Sequence, residues 1–247
     1  MCVCPLAGKP NIVPSSPPLN LGFKAFIFDS GTLGSPILSN RSTSYSTNLT
    51  QDSVDHQSSP LQKKRLLRSQ MRKARQQLSR REQQQAALRL KYRLNQTPAF
   101  KYANRIALYL PNDGEVDPRL TIELAWKEGK EVYLPVLDPL RKGHLWFIQY
   151  SPKSRMKKNR FGIEEPDLRF NKRMQAKFLE AVGLPLVSFD RHGNRLGMGG
   201  GFYDRTFEFC RTEGVKPKLF GLAHRCQEVD ELPTENWDIQ LSGVISV

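Results

Sequence analysis

Between residues 61 and 94 the chain contains neither Gly nor Pro, is rich in Leu, Ala, Gln, Arg and Lys, and sets Leu67, Met71, Ala74 and Leu78 three or four positions apart. That spacing predicts an amphipathic helix. Ser79 followed by Glu82 three residues on has the form of a capping box, so a second helix is expected to begin there. Past this point the period shortens. Residues 104–110, 131–137, 144–150, 182–189 and 218–223 are short apolar runs that predict strands, with 243–247 as a last edge. Residues 118–128, with Leu120, Leu124 and Ala125 inward, and residues 202–210 have helical spacing. Strands alternating with helices predict an α/β fold, a three-layer sandwich with a largely parallel mixed sheet flanked by helices, as one domain over residues 61–247.

The first sixty residues carry a different pattern. They hold fifteen Ser or Thr and a single compact apolar patch, Ala25-Phe-Ile-Phe28, too little to offset the entropy of ordering the segment. A disordered or dispensable extension over 1–60 is expected. Its composition fits a transit peptide in part, although arginines are few and Asp52 and Asp55 are out of place; a start codon placed too early would explain it as well. No apolar run approaches the roughly 18 residues of a membrane span, so no membrane partner is expected. Cys2, Cys4, Cys210 and Cys226 have no paired spacing, which argues against a disulfide framework or structural zinc and for a reducing compartment. A cytoplasmic location follows, or a mitochondrial or plastid one should residues 1–60 be a transit peptide.

Charge singles out the first helical segment. The 247 residues carry a net charge of +14. Residues 1–60 hold three basic and three acidic side chains and residues 94–247 hold 23 and 20, whereas residues 61–93 hold twelve and one. A solvated face, an RNA surface and a site for the phosphates of a small ligand all remain open for such a helix.

The densest chemistry lies further on, where Gly197, Gly199, Gly200 and Gly201 fall within five residues between an apolar strand and a helix. Glycines let a backbone turn sharply and offer its N–H groups to a phosphate. The spacing matches neither common nucleotide fingerprint. Arg195 before the loop and Tyr203-Asp204-Arg205 after it supply a guanidinium for phosphate, an aromatic for a flat ring and a carboxylate for Mg²⁺.

The whole stretch Phe189-Asp-Arg-His-Gly-Asn-Arg-Leu-Gly-Met-Gly-Gly-Gly-Phe-Tyr-Asp-Arg205 resembles the signature of the 5-formyltetrahydrofolate cyclo-ligase (5,10-methenyltetrahydrofolate synthetase) family in its bacterial form. Lys64-Arg-Leu-Leu-Arg68, Tyr109-Leu-Pro-Asn-Asp-Gly-Glu115, Phe161-Gly-Ile-Glu-Glu-Pro166, and Leu232-Pro233 with Asp238 agree in order. The resemblance implies ATP- and Mg²⁺-dependent cyclisation of 5-formyltetrahydrofolate, through a phosphorylated formyl group, in a cyclo-ligase domain over 61–247. It implies ATP contacts from Lys64, Arg68, Arg195, Gly197, Gly199, Gly200, Gly201 and Tyr203, and folate contacts from Leu110, Glu115, Phe161, Met198 and Phe202. Asp204 is the implied Mg²⁺ ligand, with Asp238 or Ser242 as a second. No nucleophile is implied; Arg195 and Tyr203 position the transition state. The expected partners are the two small-molecule substrates of a monomer, with no nucleic acid. Four positions depart from the family pattern: Phe202 for a frequent Tyr, Leu186 for Gly, Trp237 before Asp238, and Ser242 where some members have an acid. A hydroxyl is a poorer ligand than a carboxylate for a hard cation, so an alternative is a weakly active member whose basic helix binds RNA or another anion.

Overall fold

The computed structural model describes residues 59–159, 162–212 and 214–247. Most of the expected extension, residues 1–58, and Phe161 lie outside the described residues. In chain order the elements are helices α1 (Pro60–Gln76), α2 (Arg80–Gln96) and α3 (Pro98–Lys101), strand β1 (Arg105–Ala107), helix α4 (Arg119–Lys127), strands β2 (Glu131–Leu137), β3 (Leu145–Tyr150), β4 (Met156–Lys158), β5 (Glu164–Pro166), β6 (Arg173–Met174), β7 (Ala181–Pro185), β8 (Ser188–Phe189) and β9 (Arg195–Leu196), helix α5 (Phe202–Thr206), and strands β10 (Lys218–Ala223) and β11 (Gly243–Ser246).

Seven strands form one sheet in the order β11-β10-β7-β1-β2-β3-β6. The five from β11 to β2 run parallel, and β3 and β6 close one edge antiparallel. One face is covered by α2, α3 and α4: Leu90, Leu94, Phe100, Ile122 and Ala125 pack on Ile106, Leu108, Val132 and Leu134. The other face gathers Ala107, Tyr133, Phe147, Val182, Leu184 and Leu219 against Phe207, Leu179 and Ile239. Its cover is thinner, made of the one-turn α5, 3-10 turns at Ala176–Phe178 and Glu208–Arg211, and loops.

The basic segment is two helices that break where Ser79 predicts. The Ser79 N–H donates to the Glu82 carboxylate at 2.8 Å, and the Glu82 N–H donates back to the Ser79 hydroxyl at 3.3 Å. A second capping box, between Ser59 and Gln62, starts α1. Other boundaries shift. The run 104–110 pairs only over β1, and 182–189 divides into β7 and β8, the latter turned into a hairpin with β9. The helix expected over 202–210 ends at Thr206, because Phe207 leaves helical geometry to bury itself completely against Phe147. In α4 the buried centre is Thr121, Ile122 and Ala125, with Leu120 and Leu124 half-exposed at its margins.

Candidate active site

Strand order reverses between β1 and β7. From β1 the chain proceeds to β2 on one side; from β7 it proceeds to β10 and β11 on the other. A parallel sheet opens a crevice at the carboxyl ends of such a pair. Residues 108–115 leave β1 here, and Leu186 with the β8–β9 hairpin leaves β7.

Helix α1 closes the crevice with a row of cations. Lys64, Arg68, Arg72 and Arg75 recur at helical steps on one face, and Arg75 is 1% exposed. Its Nε donates to the Asp113 carbonyl at 2.7 Å, Nη2 to the Asp113 carboxylate at 2.9 Å, and Nη1 to the Leu186 carbonyl at 3.2 Å, so one guanidinium ties both exits of the reversed strands together. Arg72 and Gln76 donate to the same carboxylate. The Asp113 carboxyl is held down at about 2, by the Arg72 hydrogen bond first, with Arg75 and Gln76 adding to it against burial. Asp113 itself has a left-handed φ of 54°, and Gly114 follows at 75°. A Cβ on Gly114 would lie 3.1 Å from the Arg75 carbonyl oxygen, so this turn needs glycine for the helix to come so close.

Glu115 sits on the crevice side of that turn with its side chain 14% exposed. One carboxylate oxygen accepts from the Asn112 N–H at 3.1 Å; the other lies 3.7 Å from Arg75 Nη2. Burial pushes its carboxyl up to about 7, and Arg75 and the Asn112 N–H oppose that rise. Leu110, half-buried beside it, packs on the sheet core.

The glycine loop lies across the N-terminal half of α1. Gly199 and Gly201 have φ of 93° and 61°, which L side chains rarely adopt. Arg68 Nε donates to the Gly197 carbonyl at 2.8 Å, and its guanidinium passes 3.4 Å from where a Gly199 Cβ would stand. Lys64 pairs with Glu235 at 3.0 Å. Arg205 clamps the loop from outside by donating to the carbonyls of Gly200 and of Gly143 in the β2–β3 turn. Arg195 joins Asp204 and donates to the Ile239 carbonyl, while the Ile239 N–H donates to the same Asp204 oxygen at 3.2 Å.

The sequence candidates therefore form two groups joined by α1. Glu115 and Leu110 belong to the crevice; Lys64, Arg68, Arg195, Gly197, Gly199, Gly200, Gly201 and Asp204 belong to the loop. Tyr203 links them. Its ring stacks on Phe207 at 6.4 Å and 5°, and burial first, then the Glu115 charge, push its phenol above the usual range. Met198 is 55% exposed on the loop, and Phe202 carries the Arg205 guanidinium 5.9 Å over its ring. Arg195, Asp238 and Ser242 line a cleft of about 580 Å³ with Glu235, Lys216 and Lys218. The five-residue α5 is too short to give the loop much of a helix dipole. Sequence reasoning missed Arg72, Arg75 and Asp113. Continuing the four-residue step from Lys64 through Arg68 reaches Arg72, and three more reach Arg75, so the two arginines had a signal.

No helix among the described residues is long and apolar enough to cross a membrane, and none of their His, Cys, Asp and Glu side chains cluster as a three-ligand metal site.

Residues 60–247 match the family model described as the 5-formyltetrahydrofolate cyclo-ligase family. A 5-formyltetrahydrofolate cyclo-ligase of Haemophilus influenzae is 41% identical over 184 residues, 74% of this chain and 97% of the relative. One from Escherichia coli K12 is 41% identical over 176 residues, 71% and 96% of the two chains. Among solved structures, the 5,10-methenyltetrahydrofolate synthetase of Aquifex aeolicus superposes with a TM-score of 0.64 at 30% identity, covering 74% of this chain and 89% of that one. The Mycoplasma pneumoniae synthetase shares the fold at a TM-score of 0.58 and 23% identity, over 74% and 97%. The signature, the α/β architecture and these relatives agree: the chain belongs to the 5-formyltetrahydrofolate cyclo-ligase family and has its ATP-dependent ligase activity in folate and one-carbon metabolism.

Proposed function

We propose that the two groups of residues divide the substrates between them, with 5-formyltetrahydrofolate in the crevice at Glu115 and the ATP phosphates at the glycine loop. An N5-formyl group is an amide-like carbonyl whose oxygen is a poor leaving group. That oxygen attacks the γ-phosphorus of ATP, the bond to ADP breaks, and the formyl oxygen becomes a phosphate ester. N10 then attacks the activated carbon and loses its proton. Phosphate departs with the C–O bonding electrons, leaving the methenyl bridge between N5 and N10. The protein's part is alignment and charge neutralisation.

The chain's residues serve those two ends. Glu115, ionised, accepts from the N–H donors on the pterin edge, with Leu110, Phe161, Met198 and Phe202 as further folate contacts. Lys64 and Arg68 use one donor each on the protein among the described residues, which leaves ammonium and guanidinium N–H groups for phosphate oxygens. Arg195 and Tyr203 border the same loop. For Mg²⁺, Asp204 accepts through Oδ1 and Asp238 through Oδ2, so each keeps one hard oxygen uncommitted among the described residues. One or two carboxylates that complete their shell with phosphates suit this ion. Bound there, Mg²⁺ would supply charge neutralisation at the phosphates; Ser242, in the same cleft, is the weaker donor. The enzyme works as a monomer on small molecules, in the cytoplasm or, should the leading segment be a transit peptide, in a mitochondrion or plastid; of residues 1–60, those before Ser59, the cap of α1, are dispensable for turnover.

The observation that carries this reading is the meeting of Arg68, Arg195 and Asp204 on one glycine loop. Its test is Asp204→Asn, followed by the near-ultraviolet absorbance of the methenyl product. Turnover falls by about a thousandfold at saturating ATP, and near-normal turnover would remove Asp204 from the metal site.

A further inference from the structure

Arg75 is the largest fully buried polar side chain in the described residues, and it lies behind the crevice rather than in it. At 1% exposure it cannot meet a ligand. A clamp on Asp113 would not by itself require its placement, since Arg72 and Gln76 already donate to that carboxylate. What Arg75 alone does is span Asp113, Leu186 and Glu115. Its Nη2 is 2.9 Å from the Asp113 carboxylate and 3.7 Å from Glu115 Oε1, while the Asn112 N–H holds Glu115 Oε2 at 3.1 Å. Glu115 is thus attracted from behind by a full charge without having Oε1 consumed by a hydrogen bond.

We infer that Arg75 is a positioning residue for folate recognition: its guanidinium keeps the Glu115 carboxylate charged and turned toward the ligand, an inference that rests on reading Glu115 as the folate contact.

The groups around Glu115 leave Arg75 without a substitute. Asp113, in the same turn, is anionic and works against ionisation of Glu115. Tyr109 from the β1 exit and Tyr203 from α5 both have phenols raised by burial, and so are neutral. His224 at the end of β10 is lowered by burial, with Arg75 nearby lowering it further. Burial already brings Glu115 to about 7 with Arg75 present, so weakening that cation moves it upward and leaves less carboxylate at neutral pH.

The experiment measures KM for 5-formyltetrahydrofolate and for ATP, and kcat, between about pH 6 and 9. Arg75→Lys replaces a three-way fork by a single point charge that cannot serve Asp113, Leu186 and Glu115 together. It raises the formyl-folate KM about fivefold at pH 7 and toward tenfold at pH 6, moves the pH at which that KM begins to climb upward by about one unit, and leaves kcat and the ATP KM within about twofold. Arg72→Gln loosens the same Asp113 clamp without touching Glu115, and does not move that pH. In a Glu115→Gln background Arg75→Lys has no further effect on the folate KM. An unmoved pH limb in Arg75→Lys, the same shift in Arg72→Gln, or additive effects in the double variant overturns the inference. If Glu115→Gln alone leaves the folate KM unchanged, the folate role of Glu115 falls and takes the inference with it; if it raises that KM and Arg75→Lys does not, only the inference falls. Should Arg75→Lys fail to fold, Arg75→Gln decides, because it keeps N–H donors for the Asp113 and Leu186 carbonyls but carries no charge: the limb then moves upward, and an unmoved limb overturns the inference.

Discussion

The two halves of α1 carry the same kind of side chain on the same face and do opposite things with it. In the C-terminal half, Arg72, Arg75 and Gln76 converge on one carboxylate, and Arg75 commits Nε, Nη1 and Nη2 to the protein. In the N-terminal half, Lys64 and Arg68 make one bond each, to Glu235 and to the Gly197 carbonyl. Satisfied donors belong to the fold. Among the described residues Arg72 also makes a single bond, so it is the fully committed Arg75 that contrasts with Lys64 and Arg68, whose remaining donors beside the glycine loop are those proposed above for phosphate; burial does not draw that line, since Lys64 is itself only 8% exposed.

Removing the shared partner should break the C-terminal half most severely. Asp113→Ala leaves a fully buried guanidinium with only the Glu115 carboxylate, 3.7 Å away, to oppose its charge, and should cost about 3–5 kcal/mol of stability in urea unfolding. A stable Asp113→Ala protein would mean that the two halves are alike. The converse holds at the other end, where Lys64→Ala with Arg68→Ala should raise the KM for ATP about a hundredfold, roughly 2.7 kcal/mol, while the unfolding midpoint barely moves. A loss of stability matching that of Asp113→Ala would erase the distinction. The smallest effect concerns how α1 begins. Ser59→Ala deletes the hydroxyl that accepts the Gln62 N–H and should lower stability by about 1 kcal/mol with turnover unchanged, read by thermal unfolding and the absorbance assay. A larger loss would show that the cap also sets the aim of Lys64.

What the sequence showed and what it hid divide along the same line, local against distant. The Ser79–Glu82 break was legible because both partners lie within four residues. The glycine loop was legible because left-handed turns leave a compositional mark, and the β/α alternation because burial has a period. The strand over 182–189 was too long because its interruption is caused from afar: the Leu186 carbonyl accepts from Arg75 and Gln227 side chains, 111 and 41 residues away, in place of a ladder partner. The Leu108 N–H still donates to the Tyr133 carbonyl at 3.1 Å; residues 109 and 110 had strand composition but leave the sheet toward Glu115. The Asp113 clamp was invisible for a similar reason, since a charged residue in a Gly-containing turn ordinarily points into water. Lys64 and Arg68 were placed by resemblance, and their protein partners, Glu235 and Gly197, could not have been named without the fold.

Helix α1 precedes every partner it binds, by 38 residues for Asp113, 129 for Gly197 and 171 for Glu235. On the ribosome it emerges before any of them is available to dock on. A strongly cationic helix must therefore wait, solvated and unpaired, while the sheet is synthesised and the crossover that carries Glu235 arrives. The amino end is therefore completed last: a chain cut short after β10 would lack Glu235, the residue that receives Lys64, and a defect at the carboxyl end would be felt at the amino end.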